Sequence, residues 1–362
     1  MTRLNKKGLN EKKIIDIFVD KFRSSNRKIF SEYSSRQWYM TNQIGEDDVS
    51  ILSPVMRRRK GLELILECDM LVQGTDVPPG MKTRQIARKS IVSCVSDLAA
   101  KGIKPPYVST ISLGIPARYS KDDVVQLAKG FDRSSAEFGI IFVGGDTNEA
   151  SELIIGCNLI GFSGGCRIPP RNGAKPGDFI VVSGTFGYPA AGLKILTQKA
   201  NARGTFRDKA ISSVMNPKPQ QKFGIFLSRY LSSSIDSSDG LAISLYELAR
   251  QSKVDFFLGS VPSAEGILQF VSENSFLDPH ELIFHGGEEF HIVATVSKQN
   301  MKRMETAARK QKLSFIVIGE VINGTGKVFL ASEHVPRKDL SLLDNRGYVH
   351  LQNKSKSTNY QD

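Results

Sequence analysis

The sequence predicts a mixed α/β protein of two domains, and three observations predict it. The chain runs to 362 residues, long enough for two domains with cores of their own. Apolar periodicity switches between strand and helix texture several times in each half. Between the halves, "GGCRIPPRNGAKPGDF" (Gly164–Phe179) is rich in Gly, Pro and basic residues and marks the boundary. The expected division is a basic helical extension over 1–43, an N-terminal domain over 44–165, a C-terminal α/β domain over 166–350 and a polar tail over 351–362.

The elements follow in order. "EKKIIDIFVDKF" places Ile14, Ile15, Phe18 and Phe22 on one helical face. "VSILSP" and "LELILECDMLV" read as a hairpin around the basic "MRRRKG" turn. "TRQIARKSIVSCVSDLAAKG" is a helix, with Ala87, Ile91, Cys94, Val95 and Leu98 inward and Gly102 at its exit. A strand (107–115), a helix (121–139) and the strands "IIFVGG" and "ELIIGCNLIGFS" complete the first half. The second half opens on the buried strand "DFIVVSG". "SSSIDSSDGLAISLYELARQS" then leads into a helix whose stripe is Leu241, Leu245, Leu248 and Ala249, and "EEFHIVATV" and "FIVIGEV" are strands.

Composition excludes several classes. The hydrophobic share of 40% with 24% charged residues is that of a globular protein. No apolar run approaches a membrane span, and "MTRLNKKGLNEKK" lacks the apolar segment of a secretory signal. Cys68, Cys94, Cys157 and Cys166 form no C-x-x-C pair and read as buried free thiols of a reducing, cytoplasmic compartment. The net charge is +12, and residues 1–42 hold ten Lys/Arg against four Asp/Glu. Such a balance solvates an arm or attracts anions. Without zinc-finger spacing or aromatic-rich basic strands, nucleic acid ranks below small anions.

The chemistry sits in carboxylates at element ends. Asp47 and Asp48 open a strand, Asp69 follows "LELILEC", Asp97 borders an apolar stripe and Asp146 ends "IIFVGGD". Asp236 and Asp239 stand before the helix at 241. Taken alone, Asp239 reads either as an N-cap or as part of a site. Together, converging like charges call for cations, and carboxylates suit hard Mg²⁺. The five histidines show no metal-ligand spacing, which argues against zinc. Neither G-x-x-x-x-G-K-[ST] nor G-x-G-x-x-G nor a protein-kinase signature is present, while "VGGDT" offers bare N–H groups to a phosphate.

These residues resemble the thiamine-monophosphate kinase family, of the superfamily that includes aminoimidazole ribonucleotide synthetase. "GEDDVSIL" is similar to G-D-D-A-A-V, "CDMLVQGTD" to T-D-x-L-V-E-G-V-H and "SCVSDLAAKGIKP" to V-N-x-S-D-I-A-A-M-G-x-x-P. "VGGDT" matches as it stands, and "RNGAKPGDFIVVSGTFGYPAAGL" resembles R-x-G-A-x-P-G-D-x-I-x-V-T-G-x-L-G-x-S-A-A-G-L. "IDSSDGL" resembles D-I-S-D-G-L, "HGGEEFHIVAT" resembles G-G-E-D-Y-E-L-L-F-T, and "RGYVHL" the closing G-W-x-H-F. Two departures stand out: Glu67-Cys68 replaces Thr-Thr, and Asp76 replaces a substrate-side His. Glu67 is either an extra ligand or an outward strand residue.

The resemblance implies an aminoimidazole ribonucleotide synthetase-like fold, each domain a mixed sheet with helices on one side, and a homodimer built through ATP- and Mg²⁺-binding N-terminal domains. It implies ATP-dependent phosphorylation of thiamine monophosphate with several Mg²⁺ ions, by direct in-line transfer and without a general base. By position, Asp48, Asp69, Asp97, Asp146, Asp236 and Asp239 would hold metal. Gly145, Asp146, Arg171 and Ser238 would lie along ATP, and Asp76, Glu288 and Tyr348 along the thiamine substrate. The competing readings are a purine-pathway cyclo-ligase of the same superfamily and a non-catalytic basic nucleotide- or RNA-binding protein. A selenophosphate synthetase would carry a cysteine within residues 1–45, and the hydrogenase-maturation relative a C-terminal one; neither is present.

Overall fold

The computed structural model describes residue 19 and residues 38–42, 46–54, 63–331 and 341–348. The Ile14–Phe22 face, the "MRRRKG" turn and the tail lie outside the described residues.

The first sheet holds six strands: β1 (Trp38–Met40), β2 (Ser50–Pro54), β3 (Leu64–Val72), β4 (Tyr107–Ile115), β5 (Ile140–Glu149) and β6 (Ile154–Phe162). Their order is β1-β2-β3-β6-β4-β5, antiparallel except for the parallel pair β4–β5. The expected hairpin is present as β2 and β3, with Ile51 opposite Ile65. One residue range needs correction: β1 pairs with β2, so the sheet already begins inside the segment read as an extension.

A single turn α1 (Gln73–Asp76) leads to α2 (Thr83–Ala100) and, after β4, α3 (Lys121–Phe138). Alternation along β3 and β6 buries Ile65, Leu71, Ile155, Cys157 and Leu159 under these helices. The opposite face leaves Met70, Ile141, Val143 and Phe162 exposed. Helix α3 starts at a capping box of Ser120 and Asp123 and stops at Gly139, whose φ of 75° only glycine adopts freely. Helix α2 is different, being buried on almost every side from Ile86 to Ala100, because it lies between the two sheets.

The second sheet runs β13 (Ser341–Leu342), β12 (Val328–Leu330), β9 (Val254–Leu258), β11 (Ile316–Asn323), β7 (Phe179–Val182), β10 (His291–Val296) and β8 (Leu231–Ser237). It too is mixed, with β12 and β9 parallel. Its helices are α4 (Tyr188–Gln198), α5 (Gly204–Met215), α6 (Gln221–Leu227), α7 (Leu241–Ser252), α8 (Ile267–Ser272) and α9 (Lys298–Lys310). Here helices cover both faces, where the resemblance implies one. Ile180 and Val182 pack with Leu245 and Leu248 of α7, while Val181 packs with Phe223 of α6 and Met304 of α9. The unbroken apolar run of β7 is the sequence sign of a strand buried on both sides.

Val181 shares its cluster with Ala99 and Ala100, so the end of α2 docks on the C-terminal domain. A Cβ on Gly224 would stand 1.8 Å from the Ala99 carbonyl oxygen, which sets how closely α6 meets α2. The cysteines are all free, but only Cys94 and Cys157 are buried; Cys68 is exposed because it falls on the open face of the first sheet.

Candidate active site

The seam between α2 and the second sheet collects the carboxylates. Asp48 precedes β2, Asp97 lies in the last turn of α2 and Asp236 lies in β8. Each offers an oxygen, and these oxygens lie within 4.8 Å of one another. Glu67 and Asp69, two apart on β3 and so on one face, adjoin the group. Burial, then the charges of Asp69, Asp48 and Asp236, pushes the Glu67 carboxyl well above the usual range. Burial, then Asp236, Glu67, Asp48 and Asp69, does the same to Asp97. Asp236 is pushed up to about 7 by burial and by the Asp48 charge.

Asp48 goes the other way. Burial raises it, but Lys101 and Arg171 outweigh burial and hold it below the usual range. Arg171 Nε donates to Asp48 Oδ1 at 3.0 Å, and its Nη2 donates to the same oxygen. Lys101 Nζ lies 2.8 Å from Asp48 Oδ2 and 2.5 Å from Asp47 Oδ1. Asp48 Oδ2 is buried against that ammonium and accepts no other hydrogen bond. A buried carboxylate oxygen with an unused lone pair, beside two more carboxylates, fits a hard divalent cation.

A second node lies further along α2. Lys89 Nζ donates to Glu288 Oε1 and to the Asp76 carbonyl, each at 2.5 Å. The structure thus brings two expected substrate residues to one lysine. The Asp76 carboxylate itself turns back onto α1 and accepts from Val72 N–H at 2.6 Å, so Asp76 presents its backbone rather than its charge. Glu288 sits at φ 68°, its N–H held by the Ser238 carbonyl at 2.6 Å, and its Oε2 is buried with no partner. Tyr348, 46% exposed, is fixed by its N–H to the Asp239 carbonyl at 2.9 Å.

Asp146 and Asp239 stand outside the three-carboxylate group. Asp146 is exposed on β5 and accepts from the Thr147 N–H. Gly145 packs against β4, where an added Cβ would lie 2.0 Å from the Ile111 carbonyl oxygen. The cap of α7 falls on Gly240 at φ 122°, which caps without a side chain, so Asp239 is not the N-cap. Lys89 and Lys101 were missed by sequence reasoning. The available signal was spacing: Lys101 is four residues after Asp97 and Lys89 eight before it, each about a whole number of turns away.

The two mixed sheets with this seam between them place the chain in the AIR synthase-related class. The family "AIR synthase related protein, N-terminal domain" matches residues 46–163. The thiamine-monophosphate kinase of Nitrosopumilus maritimus is 41% identical over 80% of this chain and 89% of its own. That of Pyrococcus horikoshii is 34% identical over 80% of this chain and 86% of its own. The chain belongs to the thiamine-monophosphate kinase family. Among solved structures, AaThiL complexed with AMPPCP and TMP shares the fold, with a TM-score of 0.75 at 23% identity over 97% of this chain and 99% of that one.

Proposed function

We infer that this enzyme transfers the γ-phosphoryl group of ATP directly to thiamine monophosphate, giving thiamine diphosphate, with Mg²⁺ at the carboxylate seam. The observation that carries the Mg²⁺ reading is the convergence of Asp48, Asp97 and Asp236 from both domains, with a lone pair of Asp48 Oδ2 unused beyond its ion pair with Lys101. Donor and acceptor phosphates each carry a charge near −2. At about 5 Å and an effective dielectric of about 20, their repulsion is on the order of 10 kcal/mol. Mg²⁺ held by these carboxylates would neutralise that charge and align donor and acceptor for in-line displacement. A phosphate oxygen is already deprotonated, so no side chain has to act as a base.

The chain's residues then divide by task. Asp48, Asp69, Asp97, Asp146, Asp236 and Asp239 would hold metal. Gly145, Asp146, Arg171 and Ser238 would border ATP. Glu288 Oε2, buried and unpartnered, would face the cationic thiazolium, on which the exposed Tyr348 ring would stack. Lys89 would position Glu288. The open apolar face with Met70, Ile141, Val143 and Phe162 supports a homodimer formed through the first sheet. Four free cysteines support a reducing, cytoplasmic setting, and no helix among the described residues is long and apolar enough to cross a membrane.

The test is purified protein with Mg²⁺-ATP and thiamine monophosphate or thiamine, resolved by chromatography. Thiamine diphosphate from the monophosphate alone is expected. Equal phosphorylation of thiamine would overturn direct transfer between phosphates.

A further inference from the structure

Lys101 is wholly buried, and its ammonium is surrounded by oxygen. Asp47 Oδ1 stands at 2.5 Å, Asp48 Oδ2 at 2.8 Å, the Ser234 carbonyl at 2.7 Å and the Pro169 carbonyl at 3.4 Å. These four oxygens come from three separate stretches of chain and include two carboxylates. Such a shell is the kind that a hard cation collects. The side chains of Asp47 and Asp48 are nearly or fully buried and share this one ammonium, so without it two adjacent carboxylates would face each other. Arg171 does not replace it, lying 4.0 Å from Asp47 Oδ1 and hydrogen-bonded to Asp48 through Oδ1.

We propose that Lys101 is a built-in cation that takes the place of one divalent ion between Asp47 and Asp48. The ammonium occupies the bridging position from its anchor at the end of α2, while Asp48 Oδ2 keeps a lone pair for the ion shared with Asp97 and Asp236. The enzyme therefore binds one divalent ion fewer at this seam than the same carboxylates would without the lysine. Holding the Asp47–Asp48 segment, α2 and the Ser234 stretch of β8 together before any metal arrives is its second consequence. This rests on the reading of the seam as a Mg²⁺ site.

The test counts ions rather than turnover. The full chain, stripped with chelator, is titrated with Mn²⁺ alone and free Mn²⁺ is followed by electron paramagnetic resonance. Lys101→Met is expected to bind one Mn²⁺ more per chain than the wild type, and Lys101→Arg the same number as the wild type. The double variant Asp47→Asn, Lys101→Met removes both partners and should return to the wild-type count. In chelator, Lys101→Met should melt below the wild type and regain the difference as Mn²⁺ is added. If it is unfolded in chelator, Mn²⁺ should restore its far-ultraviolet circular dichroism, and failure to do so would overturn the proposal. Equal, non-zero counts in wild type and Lys101→Met overturn the exchange of lysine for metal and leave the Mg²⁺ reading intact. No Mn²⁺ bound by either overturns both.

Discussion

The Lys89 ammonium stands 2.5 Å from Glu288 Oε1, joining the middle of α2 to the loop before β10. The pair crosses the domain seam, and Lys89 is almost fully buried. Removing one partner of a buried pair leaves an uncompensated charge, a loss of about 3 kcal/mol or more, reduced here because the Glu288 side chain is 25% exposed. Lys89→Met should therefore lower the melting temperature and raise KM for thiamine monophosphate about tenfold, as Glu288 loses its aim. Lys89→Met with Glu288→Gln should regain stability without regaining affinity. An unchanged KM in the single variant would remove Glu288 and Lys89 from substrate binding.

Glu289, the next residue, supplies a pH test. Burial pushes its carboxyl up to about 8, though it accepts the Gly187 N–H at 2.5 Å. A folded pKa above the unfolded one means that stability falls as pH climbs from about 4.5 to 8 and stays low above. Glu289→Gln keeps an acceptor for Gly187 and removes the titration. Its melting temperature should match the wild type near pH 5 and exceed it by a few degrees at pH 8.5. Burial lowers His291 to about 4, and its contribution cancels in the comparison because both proteins carry it. A gap that does not grow with pH would contradict a protonated Glu289 in the fold.

Gly145 separates packing from nucleotide contact. An added Cβ would sit 2.0 Å from the Ile111 carbonyl oxygen, on the paired strand. Gly145→Ala should cost about 2 kcal/mol or more in stability as β5 is forced off β4. A variant with the wild-type melting temperature and only a raised KM for ATP would show that the strand accommodates the methyl and that the glycine serves the nucleotide alone.

The regular elements were readable because their signals are local. The strand at 107–115 and the helix from Thr83 to Ala100 follow from period and flanking residues. Asp48, Asp97 and Asp236 could be placed in one site through their motifs, although 188 residues separate the outer two. The lysines were another matter. A charged residue on a helix reads as solvated, and only the docking of α2 between two sheets makes Lys89 and Lys101 interior. Glu67 needed the pairing of β3 with β6 to show that its face, shared with Asp69, points under the helices. Cover on the second face of the C-terminal sheet is likewise tertiary, supplied in part by Ala99 and Ala100 from the other domain.

That β1 pairs with β2 also changes how the basic N-terminus should be tested. Removing residues 1–42 would take away Trp38–Met40, an edge strand, together with half of the excess charge. Removing residues 1–36 spares the strand. The shorter deletion is expected to leave kcat within a few-fold of the wild type and the fold intact. A loss on the order of a hundredfold without unfolding would place the segment over the active site.

Asp236 and Asp239 give the sharpest comparison, because one lies inside the carboxylate group and the other beyond β8 next to Tyr348. Asp236 has its folded carboxyl raised to about 7 from an ordinary value of 3.8. Stability in the absence of metal therefore falls as pH rises between those values and remains reduced above 7. Asp236→Asn removes that penalty, so the metal-free variant should melt above the wild type at pH 8 and level with it near pH 4. Asp239→Asn should leave the metal-free melting curve unchanged, since Gly240 caps α7. In activity the two should converge. An amide keeps the shape of the carboxylate and loses its charge, so each variant should lose roughly a hundredfold or more in kcat/KM, equivalent to about 3 kcal/mol. Excess Mg²⁺ should restore part of that loss, because weakened ligands still bind at higher concentration. The measurement is a melting curve in chelator at both pH values beside a kinase assay titrated with Mg²⁺. Full activity in Asp239→Asn would limit the metal site to Asp48, Asp97, Asp236 and their neighbours on β3.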